Sequence, residues 1–288
     1  MLQFTNIDAE DSSRRSSIKF QKLIGKFLKS KGVPKDVSDF NAKQAYVLNY
    51  VDREVRPHFP DNNLLHDTTL FRGYCSNIQF GTIENLQAGI AQKLLGVYEV
   101  ELTDQLETLE NRRYDWIINI GAAEGLYSIR FSRTWKGIPV YSFEQDFATR
   151  QLLREMKNLN KVKNVVILGE FKLEYMKSFE KGSRGMIFSD CEGFEQLLFT
   201  EQTLPSLVDI DLVIETHDHL AAGVHAGLVQ VLSATHKVEQ IDQLTLKERC
   251  TRVNEDWFRT LPEKAQINLL NEDRHPSNRW IIASSLSN

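Results

Sequence analysis

Five short groups of polar and mostly acidic residues each follow an apolar run in the second part of the chain. They are NIGAAEG (119–125), EQD (144–146), GE (169–170), DCEG (190–193) and ETHDH (215–219). A single acid after a strand is commonly a helix cap, but the carboxyl ends of parallel strands lie at one edge of a sheet. Five such groups predict one shared cleft, whose carboxylates and histidines can bind hydroxyl and ammonium groups, transfer a proton or hold a cation.

The first group is a turn between a predicted strand and a predicted helix. Gly121 and Gly125 let the backbone approach a ligand closely, as in nucleotide-binding turns. Glu124 lies in the first helical turn, where its carboxylate would compete with a pyrophosphate for the positive end of the helix. The turn therefore favours a ligand with an ammonium group, unless Glu124 caps its helix and points to water.

The second group carries an acid at a distance typical of ribose binding. Glu144 follows Gly121 by 23 residues, and an acid at the tip of the second strand reaches the ribose hydroxyls of an adenosine at about this interval. This spacing predicts an adenosine-bearing cofactor, either a nicotinamide dinucleotide or S-adenosylmethionine.

The elements that must hold these groups alternate between apolar runs and helix-like stretches, which lie near 124–135, 146–160, 172–181 and 193–203. Such alternation predicts a mostly parallel sheet covered on both faces. Because the sequence ends directly after the last apolar run, we expect the last two runs to form an antiparallel hairpin. The predicted strands are DWIINI (115–120), IPVYSFE (138–144), NVVILGE (164–170), GMIFSD (185–190), DLVIET (211–216), HKVEQID (236–242) and RWIIASS (279–285).

The rest of the sequence predicts accessory regions around this sheet. We expect a mobile tail over 1–17 and a mainly helical N-terminal attachment over 18–110, in which 18–31 is a basic amphipathic helix. The sheet domain is expected over 111–288, with the polar segment 243–278 as an insertion that covers the cleft.

Composition narrows the possible partners and the compartment. The formal charge of −4 and pI near 6.0 give no overall basic field, so we expect no nucleic-acid partner. Three cysteines without metal-like spacing favour reduced thiols and a cytoplasmic location. No apolar run has the roughly 18 residues of a membrane span, which leaves helix 18–31 as a weak candidate for membrane-surface contact.

Four segments together resemble a known family: YDWIINIGAAEGLYSIRFSR, PVYSFEQD, MIFSDCEGFEQLLF and DLVIETHDHL. In order and spacing they resemble class I S-adenosylmethionine-dependent methyltransferases, particularly the FkbM-like group with its glycine turn, D-x-E-G-x-E motif and E-x-H segment. The resemblance covers residues 94–242 and, more loosely, RWIIASS. It implies a Rossmann-like, seven-stranded, mostly parallel sheet with an antiparallel C-terminal hairpin, S-adenosylmethionine as cofactor, and a small-molecule or glycan acceptor.

The resemblance also implies roles for single residues. Glu144 would hold the ribose, and the glycine turn would approach the methionine part of the cofactor. At Asn119 the family usually has an acid, so Glu124 or Asp190 would have to supply the ammonium contact. The cofactor-binding residues expected on this basis are Tyr98, Asn119, Gly121, Glu124, Gly125, Glu144, Gln145, Gly169, Glu170 and Asp190.

Methyl transfer to a hydroxyl requires an aligned acceptor and a base that takes its proton. His217 is the first candidate because it follows the fifth strand; Asp190 is also expected to be catalytic, and Glu192 and Asp218 are further choices. A divalent metal is possible but not expected, since no spacing specifies one among Asp190, Glu192, Glu215, His217, Asp218 and His219.

Two alternatives to a methyltransferase remain open from the sequence. A dinucleotide-dependent oxidoreductase can use a similar sheet, and Asn119 is compatible with a cofactor-binding protein that catalyses nothing. Cys191 as a nucleophile is disfavoured, because the flanking acids explain its motif better. His225 and His236 are interpreted as surface or packing residues.

Overall fold

The computed structural model describes residues 68–70, 72–81, 89–179, 182–271 and 274–286. The predicted tail (1–17) and amphipathic helix (18–31) lie outside these residues. The chain divides into two compact units. Among the described residues, the first unit comprises 101–243 and 275–286, and the second comprises the remainder.

The first unit contains a seven-stranded sheet, and each predicted apolar run forms one of its strands. The spatial order is β3-β2-β1-β4-β5-β7-β6. Strands β1 to β5 pair in parallel, whereas β7 runs antiparallel to both β5 and β6. The predicted fold, a Rossmann-like sheet with an antiparallel C-terminal hairpin, is confirmed. The strands are β1 (Trp116–Ile120), β2 (Val140–Phe143), β3 (Val165–Leu168), β4 (Gly185–Ser189), β5 (Ile210–His217), β6 (His236–Asp242) and β7 (Asn278–Ser285).

The central strands are apolar because both of their faces are covered. Every residue of β1, β4 and β5 is buried, which explains why these strands read as continuous apolar runs rather than as alternating ones. Trp280 on β7 is fully buried, and its ring centroid lies 5.4 Å from that of Phe188 on β4. The β7 strand is therefore an integral part of the core.

The helices of the first unit are α1 (Thr103–Glu110), α2 (Leu126–Thr134), α3 (Phe147–Leu159), α4 (Glu195–Leu198) and α5 (Val224–Leu232). The predicted stretch 172–181 contains a 3-10 helix, Leu173–Ser178, and only α4 is helical within 193–203. Helix α4 ends early because the Thr203 hydroxyl donates to the Leu198 carbonyl at 2.8 Å and accepts from the Thr200 amide at 2.9 Å. These bonds replace the backbone pairs that a longer helix would need.

The edge of the sheet opposite the predicted cleft is held by one buried carboxylate. Asp211 at the start of β5 accepts hydrogen bonds from Arg112 (2.7 and 2.8 Å), the Tyr114 hydroxyl (2.7 Å) and the Ser285 amide (2.9 Å). Burial, followed by the charge of Asp211, raises the pKa of Tyr114, which therefore donates as a neutral phenol. This network fixes β5 and β7 far from the predicted acidic groups.

The second unit has a short antiparallel hairpin (Thr68–Thr69 with Gln79–Gly81) and a helix, Ile90–Leu95. Three further helices occupy the segment predicted as a polar insertion: Leu246–Arg252, Asp256–Thr260 and Glu263–Leu270. The first begins with a capping box formed by Thr245 and Glu248. An ion pair between Arg72 and Glu255 joins the two parts of this unit.

None of the helices in the described ranges combines the length and apolar content required to cross a membrane.

Candidate active site

The glycine turn after β1 packs directly against the end of β4. Gly121 has φ +78°, and a Cβ atom there would lie 1.8 Å from the backbone oxygen of Asp190. The Asp190 amide donates to the Ile120 carbonyl at 3.0 Å. Only glycine fits this approach, because any side chain would push the turn away from β4.

The Glu144 carboxylate, at the end of β2, is bound to the same turn. Its Oε2 accepts from the Ala123 amide at 3.0 Å, and its Oε1 accepts from the Asp146 amide at 2.8 Å. Burial raises the pKa of Glu144, although the two amide hydrogen bonds oppose this effect. Each oxygen keeps a second lone pair, so the carboxylate can still accept hydrogen bonds from a ligand.

The loop that carries Glu144 is held from below by Arg150 on α3. Its guanidinium Nη1 donates to the carbonyls of Glu144 (2.7 Å) and Gln145 (2.8 Å). The side chains of Gln145 and Glu170 are exposed, and Gly169 is half-buried. These predicted cofactor residues thus lie at the accessible rim of the sheet edge, where a ligand can reach them.

Asn119 faces the interior under the turn. Its amide nitrogen donates to the Ser128 hydroxyl at 2.9 Å, and the hydroxyls of Ser128 and Ser142 lie 2.8 Å apart. The Asn119 Oδ1 is buried and has no hydrogen-bond partner among the described residues. An aspartate here would place an unpaired charge in this buried chain of neutral groups.

The remaining residues of the turn are tightly packed. Glu124 is buried rather than directed to solvent. Gly125 has φ +99°, and a Cβ atom there would lie 2.1 Å from Leu153 on α3. The turn is therefore fixed against both α3 and β4.

His217 ends β5 and is surrounded by carboxylates. Its ring is 1% exposed, and Nδ1 lies 2.8 Å from Oε1 of Glu195, which is fully buried. The other nitrogen, Nε2, lies 3.5 Å from Asp190, 3.8 Å from Glu192 and 3.8 Å from Glu215. His217, Asp190 and Glu192, which were predicted to lie at the acceptor end, are therefore close together. Glu195 and Glu215 belong to the same cluster.

The carboxylates determine the protonation of this cluster. Burial alone would lower the pKa of His217, but the hydrogen bond to Glu195 and the charges of Glu215, Glu195 and Glu192 raise it. Burial would raise the pKa of Glu195, but its hydrogen bond and charge interaction with His217 lower it. The pair therefore favours an imidazolium next to a carboxylate.

Glu195 is the residue that our sequence argument missed. It is the last acid of the D-x-E-G-x-E motif, and that motif was the available signal. Its Oε1 also accepts from the Gly193 amide at 3.2 Å and lies 3.6 Å from the Cys191 sulfur. Burial and the Glu195 charge raise the pKa of Cys191, which further disfavours a nucleophilic thiolate.

The other acids and histidines near β5 have their own contacts. Glu215 accepts from the Asn278 amide group at 3.0 Å, and Asp218 accepts from the His225 backbone amide at 2.8 Å. His219 is exposed and stacks on His275 with ring centroids 4.5 Å apart. Asp218 therefore supports the start of α5.

The two histidines interpreted as surface or packing residues are packing residues. His225 is buried on α5, between the Thr216 hydroxyl and the Gln240 side chain, at 2.9 Å from each. His236 is buried at the start of β6, with Nε2 at 3.1 Å from the Leu207 carbonyl and 3.0 Å from the Ile210 carbonyl.

The possible metal ligands at the acceptor end lie close together. Asp190, Glu192 and His217 each offer a ligand atom within 4.8 Å of the others, so a divalent metal could bind there.

Tyr98, a predicted cofactor residue, belongs to the second unit, where the Lys93 ammonium lies 4.8 Å from the centroid of its ring. Its role in cofactor binding stays a prediction.

Comparison with solved structures finds methyltransferases. The O-methyltransferase TomG from Streptomyces achromogenes, involved in tomaymycin synthesis and solved with S-adenosylmethionine, has a TM-score of 0.45 and 13% identity over 69% of this chain and 89% of its own. Precorrin-6y C5,15-methyltransferase from Geobacter metallireducens has a TM-score of 0.40 and 14% identity over 64% and 86%. This chain has its own seven strands in the order β3-β2-β1-β4-β5-β7-β6, with β7 antiparallel to β5. No protein-family model and no curated protein matches the sequence.

Proposed function

We propose that this protein is an S-adenosylmethionine-dependent methyltransferase of the FkbM-like group that methylates a hydroxyl of a small molecule or glycan. The observation that carries the proposal is that two different groups of residues lie along one edge of the sheet. One end is a glycine turn bound to Glu144, and the other is a buried His217 among carboxylates. We expect a cytoplasmic protein, since the three cysteines have no metal-like spacing and are few and odd in number.

The turn fits S-adenosylmethionine better than a dinucleotide. The Ala123 amide, which a pyrophosphate would need, already donates to Glu144. Glu144 keeps lone pairs for the two ribose hydroxyls, and the acidic surroundings suit a ligand that carries ammonium and sulfonium charges. This argument disfavours the oxidoreductase alternative.

When bound, the cofactor would supply an electrophilic methyl group. The chain's own residues then have to orient the acceptor and move one proton. Glu144 and the glycine turn would hold the cofactor, whose methyl group would pass to the acceptor oxygen while the electron pair of the carbon–sulfur bond would stay on sulfur. The hydroxyl proton passes to Nε2 of His217, and the surrounding carboxylates stabilise the imidazolium that results.

Isothermal titration with S-adenosylmethionine tests the cofactor assignment. We expect wild type to bind in the micromolar range, and Glu144→Ala to bind about tenfold more weakly or worse, because hydrogen bonds to a charged group are worth about 1.5–3 kcal/mol. Glu155→Ala, an exposed glutamate on α3, is the matched control and should bind like wild type. No binding below about millimolar by wild type, with Glu144→Ala no different, would contradict the proposal.

A further inference from the structure

We propose that Glu195 is a positioning residue that holds His217 in the tautomer with its proton on Nδ1, which leaves Nε2 as the proton-accepting atom. The tautomer follows from the contacts of Glu195 alone. Its consequence for catalysis rests on the proposed function.

The direction of the Glu195–His217 hydrogen bond is fixed by the other donors at the same oxygen. Glu195 Oε1 accepts from the Gly193 amide at 3.2 Å and lies 3.4 Å from the Cys191 amide nitrogen. Both amides donate to this oxygen, and His217 lowers the pKa of Glu195, so the carboxylate is ionised and can only accept. The 2.8 Å contact to His217 therefore requires a proton on Nδ1.

Burial makes this arrangement rigid. Glu195 is 0% exposed and His217 is 1% exposed, so neither side chain can exchange its partner for bulk water. A buried carboxylate on Nδ1 sets both the tautomer and the ring orientation of a histidine. Glu195 thereby aims Nε2 at the edge of the sheet.

The surroundings of Nε2 suit a proton acceptor. The three carboxylates that face it lie 3.5–3.8 Å away, longer than the 2.7–3.2 Å of an ordinary N–H···O bond. They stabilise the charge of an imidazolium without occupying Nε2 at bonding distance. Among the described residues, the titratable groups facing the ring are Glu195 from α4, Glu215 from β5, Asp190 and Glu192 from the loop after β4, and His219 at 5.9 Å between ring centroids.

The test is nitrogen NMR of the full chain with ¹⁵N-labelled histidine, with His217 assigned by the loss of its signals in His217→Gln. We expect the neutral ring of wild type to carry its proton on Nδ1. In Glu195→Gln, we expect a mixture of tautomers and a titration midpoint lower by about 1 to 3. Glu195→Asp keeps the carboxylate and should retain a larger share of the Nδ1 tautomer than Glu195→Gln.

Glu192→Gln is the matched control, because it removes an equal charge from the Nε2 side. It should lower the midpoint less than Glu195→Gln does and leave the tautomer unchanged. A neutral wild-type ring with its proton on Nε2 would overturn the proposal even if the variants fail to fold, and so would an unchanged tautomer in folded Glu195→Gln.

Once an acceptor is in hand, kinetics supply the second readout. Glu195→Gln should lower kcat by about 10- to 100-fold, within the range that a positioned base contributes, with KM for S-adenosylmethionine unchanged and the pH profile displaced to lower pH. An unchanged kcat and pH profile would contradict the catalytic consequence. Absence of any methyl transfer by wild type with the Nδ1 tautomer intact would contradict the proposed function alone.

Discussion

Two glutamates at the same edge of the sheet have pKa values that are shifted in opposite directions. Glu144 directly follows β2 and binds two backbone amides, and burial raises its pKa. Glu195 begins α4 and binds His217, and this partner lowers its pKa despite burial. Neutral amides do not compensate burial of a charge as fully as an imidazolium does.

Because of this difference in pKa shift, we propose different tasks for the Glu144 end and the His217 end of the sheet edge. The Glu144 end is organised by backbone amides and offers carboxylate hydrogen-bond acceptors at fixed positions, which suits recognition of a cofactor. The His217 end is organised by side-chain charges and can take up a proton, which suits the acceptor. Gly121 lies between them, since it follows β1 and contacts Asp190.

We expect the largest effect from Gly121→Ala, which would disrupt the close contact between the glycine turn and the Asp190 backbone. We expect loss of detectable S-adenosylmethionine binding and destabilisation by about 3 kcal/mol or more, because left-handed strain of about 1–2 kcal/mol adds to the clash with the Asp190 backbone. Calorimetry and thermal unfolding measure both effects. Gly137→Ala is the control: φ there is +84° with nothing within 4 Å, so only the strain should appear. Equal losses of stability and of cofactor binding in the two variants would contradict the role of the Gly121–Asp190 contact.

Removal of the base should separate the two ends. For His217→Ala we expect methyl transfer to fall by about 10²–10⁴-fold, with cofactor affinity within about twofold of wild type, as measured by single-turnover kinetics and calorimetry. His236→Gln changes a buried histidine at the start of β6, on the opposite edge, and should lower stability without affecting transfer per folded molecule. A parallel loss of cofactor binding in His217→Ala would contradict the division of tasks.

The pH dependence of transfer should follow His217. Its pKa lies above the usual 6.5, so kcat should rise with pH through a midpoint above about 6.5. The stability contribution of the ring has the opposite trend: it is fully present below about pH 6.5 and is lost as pH rises through the folded-state pKa. Unfolding of wild type and His217→Gln across this window measures it. A rate midpoint below 6.5 would contradict the role of the carboxylates.

The smallest effect is the order in which the two glutamates titrate. Glu144 should take up a proton at a pH above the ordinary 4.5 of glutamate, and Glu195 only below it. Because the pKa of Glu195 is depressed by folding, its stabilising contribution is present above about pH 4.5 and is lost as pH falls through the folded value. Carboxyl carbon NMR, assigned with Glu144→Gln and Glu195→Gln, resolves the order. The reverse order would contradict the comparison.

The sheet could be predicted from the sequence because its strands are buried on both faces. Every residue of β1 and β5 is buried, and the apolar runs WII and LVI within them indicate strands without knowledge of their neighbours. The antiparallel hairpin is confirmed by the pairing of β6 with β7, from His236 opposite Ser285 to Asp242 opposite Arg279. The helices within 243–278 did have a signal, the Thr245–Glu248 capping box, that composition alone concealed.

The site was harder to predict, since its partners are distant in sequence. Asn119 read as a weakened cofactor contact, but its bond to Ser128 depends on how α2 packs on β1. In the sequence, Glu195 was only one more acid of a motif. Its importance comes from the hydrogen bond to His217, which lies 22 residues later. Spacing indicates which strand ends meet, but not which side chains turn inward.

Transfer of a labelled methyl group tests the central claim most directly. Wild type, Glu144→Ala and His217→Ala would each be incubated with deuterated S-adenosylmethionine and a cell extract, followed by mass spectrometry of small molecules and glycans. We predict a deuterated methyl group on a hydroxyl in the wild-type sample, with formation of the demethylated cofactor and strong loss of product in both variants. Binding of the cofactor by wild type without any labelled product or demethylated cofactor would contradict the account and would favour a cofactor-binding protein without catalysis.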